Sequence, residues 1–332
     1  MGGAHVLVTG GAGYIGSHAC KALRAAGHVP VCVDNLSTGF AEAVRFGPLE
    51  RLDLADSAAL ADVFARYQPV AVLHFAAFSQ VGEAMADPGK YWRNNVLGAL
   101  SLIETMLAAG CRDLVFSSTC AVYGEHDGVT LDEDTPQAPL NAYGASKRAI
   151  EDMIRDFGAS DGLRAVTFRY FNVAGADPEA EIGERHDPET HLIPVLLQAI
   201  AGMRRELVVH GRDYATPDGT CIRDYVHVTD LVRAHLLGLD WLAAGRGPRV
   251  FNLGTGRGCS VGEVIARARA VTGLEVPARF GPRRAGDATR LVSGSTRAAA
   301  ELGWTPQASL DDMIAHAWTW HRRLHGNSPP VG

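Results

Sequence analysis

Apolar and polar positions alternate in blocks along this chain. Short, nearly continuous apolar runs at 6–9, 29–33, 70–75, 113–117 and 165–168 suit strands that are buried on both faces. Between them, residues 17–26, 58–67, 91–109 and 143–157 carry apolar positions at helical spacing. Strand and helix repeated in that order predict an α/β domain built on a doubly wound parallel sheet. Beyond Asn172 the rhythm loosens. Residues 177–190 are rich in charge, Pro and Gly and read as a loop; then come a helix at 193–202, a strand at 207–210, a helix at 228–242, a strand at 250–253, and helices at 261–272 and 310–324. The pattern predicts a nucleotide-binding domain over 1–172, a return to its sheet around 222–255, and a smaller α/β substrate-binding domain mainly over 173–332. From Gly326 onward the chain reads as a disordered tail.

The first strand is the most informative, because a glycine-rich turn comes directly after it. Val6-Leu7-Val8-Thr9 runs straight into Gly10-Gly11-Ala12-Gly13-Tyr14-Ile15-Gly16 and then into a helix. Gly10, Gly13 and Gly16 fit a dinucleotide loop: a tight turn, a close approach of backbone to pyrophosphate, and a helix packed on its strand. The spacing is GxxGxxG rather than GxGxxG, and glycines alone also make ordinary turns. Asp34 adds to them. It ends the second strand, 18 residues beyond Gly16, where a carboxylate accepts hydrogen bonds from an adenosine ribose and repels a 2′-phosphate, which favours NAD over NADP.

A second motif lies at Tyr143 and Lys147, four residues apart and so on one helix face. A cation beside a phenol favours the phenolate, which brings tyrosine within range as a base. Taken alone, the spacing is equally that of a chance pairing on a solvated helix.

Composition narrows the classes of partner. The 332 residues carry a formal net charge of −6, so there is no basic field for nucleic acid. No apolar run reaches the roughly 20 residues that span a bilayer, and the N-terminal apolar stretch is cut short by glycines, unlike a signal-peptide core. The expectation is a cytoplasmic protein with neither nucleic acid nor membrane as partner. Cys20, Cys32, Cys111, Cys120, Cys221 and Cys259 are scattered without CxxC pairs; neither a metal site nor a disulfide framework is indicated, and reduced, mostly buried thiols are expected.

With Ser117-Ser118-Thr119 at a strand end before Tyr143, the glycine loop and the YxxxK pair together resemble the extended short-chain dehydrogenase/reductase family. Several further runs resemble its UDP-glucose 4-epimerase group: His74-Phe75-Ala76-Ala77, Asn94-Asn95-Val96, Ala121-Val122-Tyr123-Gly124, Arg169-Tyr170-Phe171-Asn172, Asp218-Gly219-Thr220, Arg223-Asp224-Tyr225-Val226-His227 and Arg283-Arg284-Ala285-Gly286-Asp287. The resemblance implies a Rossmann fold, tightly held NAD, a UDP-sugar substrate and a homodimer paired through helices 91–109 and 143–157. It implies that Tyr143 takes the proton of the sugar 4-hydroxyl, that Lys147 holds the phenol pKa down and that Thr119 bonds the 4-oxygen, with hydride returned to the other face of a 4-keto sugar. By the same resemblance the cofactor is met by Gly10, Gly13, Tyr14, Ile15, Gly16, Asp34, Asn35, Asp53, Leu54, Phe75, Ala76, Ala77, Asn95, Ser117, Tyr143, Lys147 and Tyr170. Asn172, Arg223 and Arg284 would hold the diphosphate, Asp287 the uridine ribose, and Leu291 would wall the hexose pocket; His191 and Leu192 would line the substrate side.

Departures matter as much as matches. Nucleotide-sugar dehydratases carry acidic residues just after the threonine, where this chain has Cys120 and Ala121; neither serves elimination, which leaves epimerisation. Ser79 stands where some bacterial epimerases have a lysine that reaches a cofactor phosphate, and His191 where they have asparagine. His227 is expected to be structural. UDP-N-acetylhexosamine and UDP-pentose 4-epimerases remain as alternatives, and a non-catalytic NAD-binding regulatory protein is the reading from another class.

Overall fold

The computed structural model describes residues 3–126, 128–284 and 287–326. The first apolar run forms β1 (His5–Thr9), and the glycine loop leads into α1 (Tyr14–Ala25). Next along the chain are β2 (Val29–Val33), β3 (Leu49–Glu50), α2 (Ser57–Tyr67), β4 (Ala71–His74), α3 (Val81–Ala86), α4 (Pro88–Tyr91), α5 (Gly98–Ala108), β5 (Asp113–Thr119), α6 (Ala142–Asp161), β6 (Arg164–Tyr170) and β7 (Asn172–Ala174). The remainder comprises α7 (Leu192–Ile200), β8 (Leu207–His210), β9 (Ile222–His227), α8 (Val228–Ala243), β10 (Arg249–Leu253), β11 (Gly258–Ser260), α9 (Val261–Thr272), β12 (Ala278–Gly281), β13 (Arg290–Leu291) and α10 (Leu310–His325).

Seven strands form a parallel sheet in the order β10-β6-β5-β4-β1-β2-β3. Successive side chains of its inner strands are buried on opposite faces. Val6, Val8, Leu73 and Val115 pack under α1 and α8, whereas Leu7, Val72, Leu114 and Phe116 pack under α2, α5 and α6. This is a doubly wound sheet, and its strand order reverses between β1 and β4, where a crevice opens at the carboxyl ends of the strands. The chain returns to it late, when β10 pairs with β6 and α8 covers β5 and β6.

The second lobe packs α7, α9 and α10 on short strands around Leu196, Val209, Val264 and Ile314. Its strand β9 pairs with β7, β11 and β13, and β8 pairs with β12. The helix predicted over 91–109 is in fact interrupted: a π-helical stretch, Trp92–Leu97, separates α4 from α5. Within it the buried Asn95 side chain bonds both backbone groups of Phe78 and the hydroxyl of Ser146, as π-bulges often do when they present a functional side chain. The tail predicted beyond Gly326 and the pair Ala285-Gly286 lie outside the described residues. All six cysteines are free, four of them buried, and no described helix is long and apolar enough to cross a membrane.

Candidate active site

A cleft of about 1340 Å³ lies over the carboxyl ends of the strands, with residues of both lobes in its walls. On the sheet side the glycine loop makes its floor. Gly10 has φ +72°, and a Cβ on Gly16 would stand 2.1 Å from the Gly10 carbonyl oxygen, so the turn closes against α1 only because position 16 has no side chain. The N-cap of α1 is Gly13, with no side-chain cap and no acidic residue in the first turn. Its free N–H groups and the helix dipole make an anion site. Asp34, buried beside the loop, accepts from Ala12 N (3.0 Å) through one oxygen and from Leu36 N (2.8 Å) through the other. Two lone-pair positions remain for hydroxyl donors, and burial raises its carboxyl above the usual range. Asn35 donates to Asp53 (2.8 Å), and Leu54 stands next to them in the wall. Phe75, Ala76 and Ala77 continue the floor. Anion site, ribose acceptor and a flat apolar floor in that sequence fit a dinucleotide.

The YxxxK motif lies at the start of α6, whose N-cap Asn141 accepts from Gly144 N (2.9 Å). That cap starts the helix two residues before Tyr143 and turns Tyr143 and Lys147 inward, where both are buried. Lys147 Nζ donates to the carbonyl of Ser117 (2.8 Å) and lies over the Phe116 ring. Burial pushes the ammonium down to about 7, opposed by Glu151. The Tyr143 phenol is pushed well above its ordinary value, first by burial and next by Tyr170, while the Thr119 hydroxyl works the other way. The resemblance implied a phenol lowered by Lys147; here desolvation by burial governs the phenol, and the group that lowers it is Thr119. Thr119 ends β5, and its Oγ1 accepts from Ala121 N (3.1 Å), so its own proton is free to be donated into the cleft. Burial raises the Cys120 thiol to about 12.

Two residues expected at the cofactor stand behind the cleft wall instead. Asn95 clamps the Phe78 segment to α6, and Ser117 bonds His235 through its hydroxyl (2.9 Å) and Lys147 through its carbonyl. Both hold residues that face the cleft. Gly10, Gly13, Tyr14, Ile15, Gly16, Asp34, Asn35, Asp53, Leu54 and Tyr170 do line it. Tyr14 also donates to the carbonyl of Gly175 (2.7 Å), tying the glycine loop to the second lobe. Ser79 lines the cleft as well, and the nearby cation Lys90 is paired with Glu83 (2.6 Å) and stacked on Phe78.

Across the cleft, Asn172, His191, Leu192, Arg223, Arg284, Asp287 and Leu291 share the opposite wall. Arg223 is buried on β9, donates to its own strand (Ile222 O, 2.9 Å) and has Asp287 3.6 Å away. Leu291 on β13 is in register with Arg223 and packs on the apolar cluster of Cys120, Val122, Tyr123 and Phe171. His227 caps α8 and pairs with His316 (3.0 Å), a structural arrangement. Sequence reasoning missed one constellation. Residues 177–190, read as a charged loop, bring Glu184, His186 and Glu189 together with His191, the residue just before α7, at the edge of the cleft; the spacing E-x-H-x-x-E-x-H was the available signal.

Residues 6–254 match the model of the NAD dependent epimerase/dehydratase family. A UDP-glucose 4-epimerase of Rhizobium meliloti (strain 1021) is 48% identical over 319 residues, covering 96% of this chain and 97% of that protein. The crystal structure of UDP-glucose 4-epimerase from Brucella ovis in complex with NAD has a TM-score of 0.93 at 47% identity, covering 95% of this chain and 98% of that one. The UDP-Glc/GlcNAc 4-epimerase of Campylobacter jejuni has a TM-score of 0.83 at 39% identity, covering 97% and 100%.

Proposed function

The chain belongs to the NAD dependent epimerase/dehydratase family, and we propose that it uses tightly held NAD to interconvert UDP-galactose and UDP-glucose at C4 of the sugar. The observation that carries the reading is the convergence of Tyr143, Lys147 and Thr119 on a cleft whose one wall fits a dinucleotide and whose other wall presents Arg223 and Arg284. Two arginines suit a diphosphate, which they can bind by charge-assisted bonds. Asn172 adds an amide, and Asp287, a carboxylate on the same wall, can accept from ribose hydroxyls. Tyr143 takes the proton of the 4-hydroxyl, Thr119 bonds the 4-oxygen throughout, and Lys147 supplies the charge that offsets a developing phenolate. Bound NAD supplies the hydride acceptor, which no side chain here can provide. Tyr143 then returns the proton once the keto sugar has presented its other face. Cys120, with its thiol held protonated, and Ala121 offer no base or acid for expelling water, so the site is one of reversal rather than elimination. Purified protein without added NAD should convert one UDP-hexose into the other with no growth of NADH absorbance. Accumulating NADH in the presence of external NAD, or a dehydrated sugar, would contradict the reading.

Asp34 sets the cofactor. Its loss in Asp34→Ala removes charge-assisted hydrogen bonds of about 1.5–3 kcal/mol and the repulsion of a 2′-phosphate. NAD retention is expected to fall by about tenfold or more, with NADP discrimination relaxed, as read from the cofactor released on denaturing the purified variant. NADP released from the wild type would refute the role.

Leu291 sets sugar size. A tyrosine there would fill space beside the cluster of Cys120, Val122, Tyr123 and Phe171, and a serine would open it. UDP-galactose should be the better substrate of the wild type, with slow turnover of UDP-N-acetylgalactosamine. Leu291→Tyr should suppress the acetylated sugar and Leu291→Ser favour it, each by roughly 1–3 kcal/mol. Unchanged rate ratios in both variants would remove Leu291 from the pocket. The alternative in which the acetylated sugar is a full substrate has one support, the likeness to the UDP-Glc/GlcNAc 4-epimerase of Campylobacter jejuni.

A homodimer in the cytoplasm completes the proposal. Trp92 and Leu97, on the helical stretch leading into α5, are large apolar side chains exposed on the monomer, and α5 packs beside α6; two such pairs make a four-helix interface. A mass of twice the chain in light scattering at micromolar concentration is expected, and a monomer would count against it.

A further inference from the structure

Glu184, His186, Glu189 and His191 each bring one donor atom to within 4.8 Å of the others. His191 Nδ1 lies 2.8 Å from Glu184 Oε1 and 3.5 Å from Glu189 Oε1; His186 Nδ1 lies 3.6 Å from Glu184 Oε1 and 3.3 Å from Glu189 Oε2. Nitrogen and oxygen ligands at about 2.0–2.2 Å from a tetrahedral zinc ion stand roughly 3.3–3.6 Å from one another. With Glu189 Oε1 filled by two backbone N–H groups, Oε2 is its donor; both separations from His186 Nδ1 then match that spacing, and Glu184 Oε1 to His191 Nδ1 is shorter by about half an ångström.

Charge points the same way. Both glutamate side chains are almost fully buried, at 7% and 3% exposure, and their ion-pair partners among the described residues are the two histidines alone. Two carboxylates in such a place are costly without a compensating charge; an imidazolium at His191 offsets one of them, and one dication offsets both. The neighbouring carboxylate group of Asp177, Glu179 and Glu181 shows the other solution, with Lys21 Nζ at 2.9, 2.8 and 2.9 Å. Among the described residues, no lysine or arginine plays that part at Glu184 and Glu189. Moreover, His191 Nδ1 is shielded from solvent and makes no well-aligned hydrogen bond, despite its closeness to Glu184. The donors are also held from behind. Glu189 Oε1 accepts from Thr190 N (2.8 Å) and His191 N (2.9 Å), and the Glu184 carbonyl accepts from Trp320 Nε1 on α10 (3.0 Å). Such outer contacts fix ligand orientation in metal sites.

We propose that Glu184, His186, Glu189 and His191 form a closed, four-coordinate site for a first-row divalent cation, zinc by the chemistry of its donors. Two imidazoles and two carboxylates suit zinc better than the all-oxygen sites of calcium or magnesium. With four protein ligands the ion has no open position for substrate, so its part is structural. It fastens the loop ahead of α7 and thereby sets the cleft wall at His191 and Leu192.

The proposal stands apart from the choice of sugar, since metal content is read without turnover. Untagged full-length protein, expressed with zinc in the medium and purified without chelator, should carry about one zinc per chain by plasma mass spectrometry. Dipicolinate should remove it and lower the melting temperature, and added zinc should restore both. Cobalt(II) given to the stripped protein should produce the visible absorption of a tetrahedral site, a signature that a merely structural loop lacks. Glu184→Gln with His186→Ala should hold less than about a tenth of the wild-type metal, whereas Glu179→Gln, in the Lys21 group, should hold it all. Should the double variant fail to fold, the cobalt spectrum of the wild type decides alone. A wild type that carries no metal and gives no tetrahedral cobalt spectrum overturns the proposal, as does a folded double variant with full metal content.

Discussion

Tyr143→Phe is expected to lower the turnover of UDP-galactose by at least about a hundredfold, or ~2.7 kcal/mol in the barrier, with NAD still bound. The substitution removes one oxygen and leaves a ring of the same shape in a buried site beside Tyr91, so the cleft keeps its form. Tyr170 also lines the cleft, but burial raises its phenol to about 12 and Ser117 is its hydrogen-bond partner; it lies on β6, not on the helix face that carries Lys147. In the wild type, a base works only when deprotonated, so the rate should rise with pH as Tyr143 ionises. Burial raises that phenol and lowers the Lys147 ammonium, so the phenolate forms together with a protonated Lys147 as a coupled pair, and Lys147→Met, which leaves the phenolate no cation to pair with, should move the limb toward alkaline pH. Stopped-time assays of both variants across pH, with NAD content measured alongside, check this. Near-full activity in Tyr143→Phe would end the role of Tyr143 as the base.

Gly16→Ala should empty the dinucleotide wall. The added Cβ would meet backbone, not a movable side chain: Gly10 O at 2.1 Å and Gly10 C at 2.8 Å. Either α1 shifts away from β1 or the Gly10 turn opens, and each moves the N–H groups at the Gly13 cap that face the cleft. Overpacking of this kind costs about 1–3 kcal/mol in stability, a loss that the sheet and its two helical layers can absorb. The cofactor site cannot, because its donors must converge on one anion. NAD per chain should drop by at least about tenfold in a variant whose circular dichroism stays that of a folded α/β protein. Wild-type NAD content in the folded variant would show that the glycine loop does not hold the pyrophosphate.

The first lobe was legible because its strands are buried on both faces and so read as plain apolar runs; β2 falls at the residues predicted for it. The second lobe was less so. Strand β9, Ile222-Arg223-Asp224-Tyr225-Val226-His227, is buried along most of its length yet carries three ionisable residues besides its tyrosine. Two of them are satisfied by partners distant in sequence: Asp224 accepts from Thr255 N, Gly256 N and Ser293 N, and His227 meets His316. Periodicity cannot anticipate such partners. The same limit applies at the site. Tyr143, Lys147, Thr119 and the glycine loop were visible as local spacings, whereas the supporting places of Asn95 and Ser117 depend on Phe78 and His235, which only the fold brings near. The break at Trp92–Leu97 was hidden because a π-helical stretch keeps a helical apolar pattern.

Hydride that leaves C4 and returns to the same carbon within one closed site is the claim on which the rest depends. UDP-galactose carrying deuterium at C4, incubated with purified protein in ordinary water and no added NAD, tests it directly by NMR and mass spectrometry of the products. The expected product is UDP-glucose with the deuterium still at C4, and the bound cofactor is oxidised at the end as at the start. UDP-glucose that has lost its deuterium to solvent, or a keto sugar that accumulates as NADH forms, would contradict it.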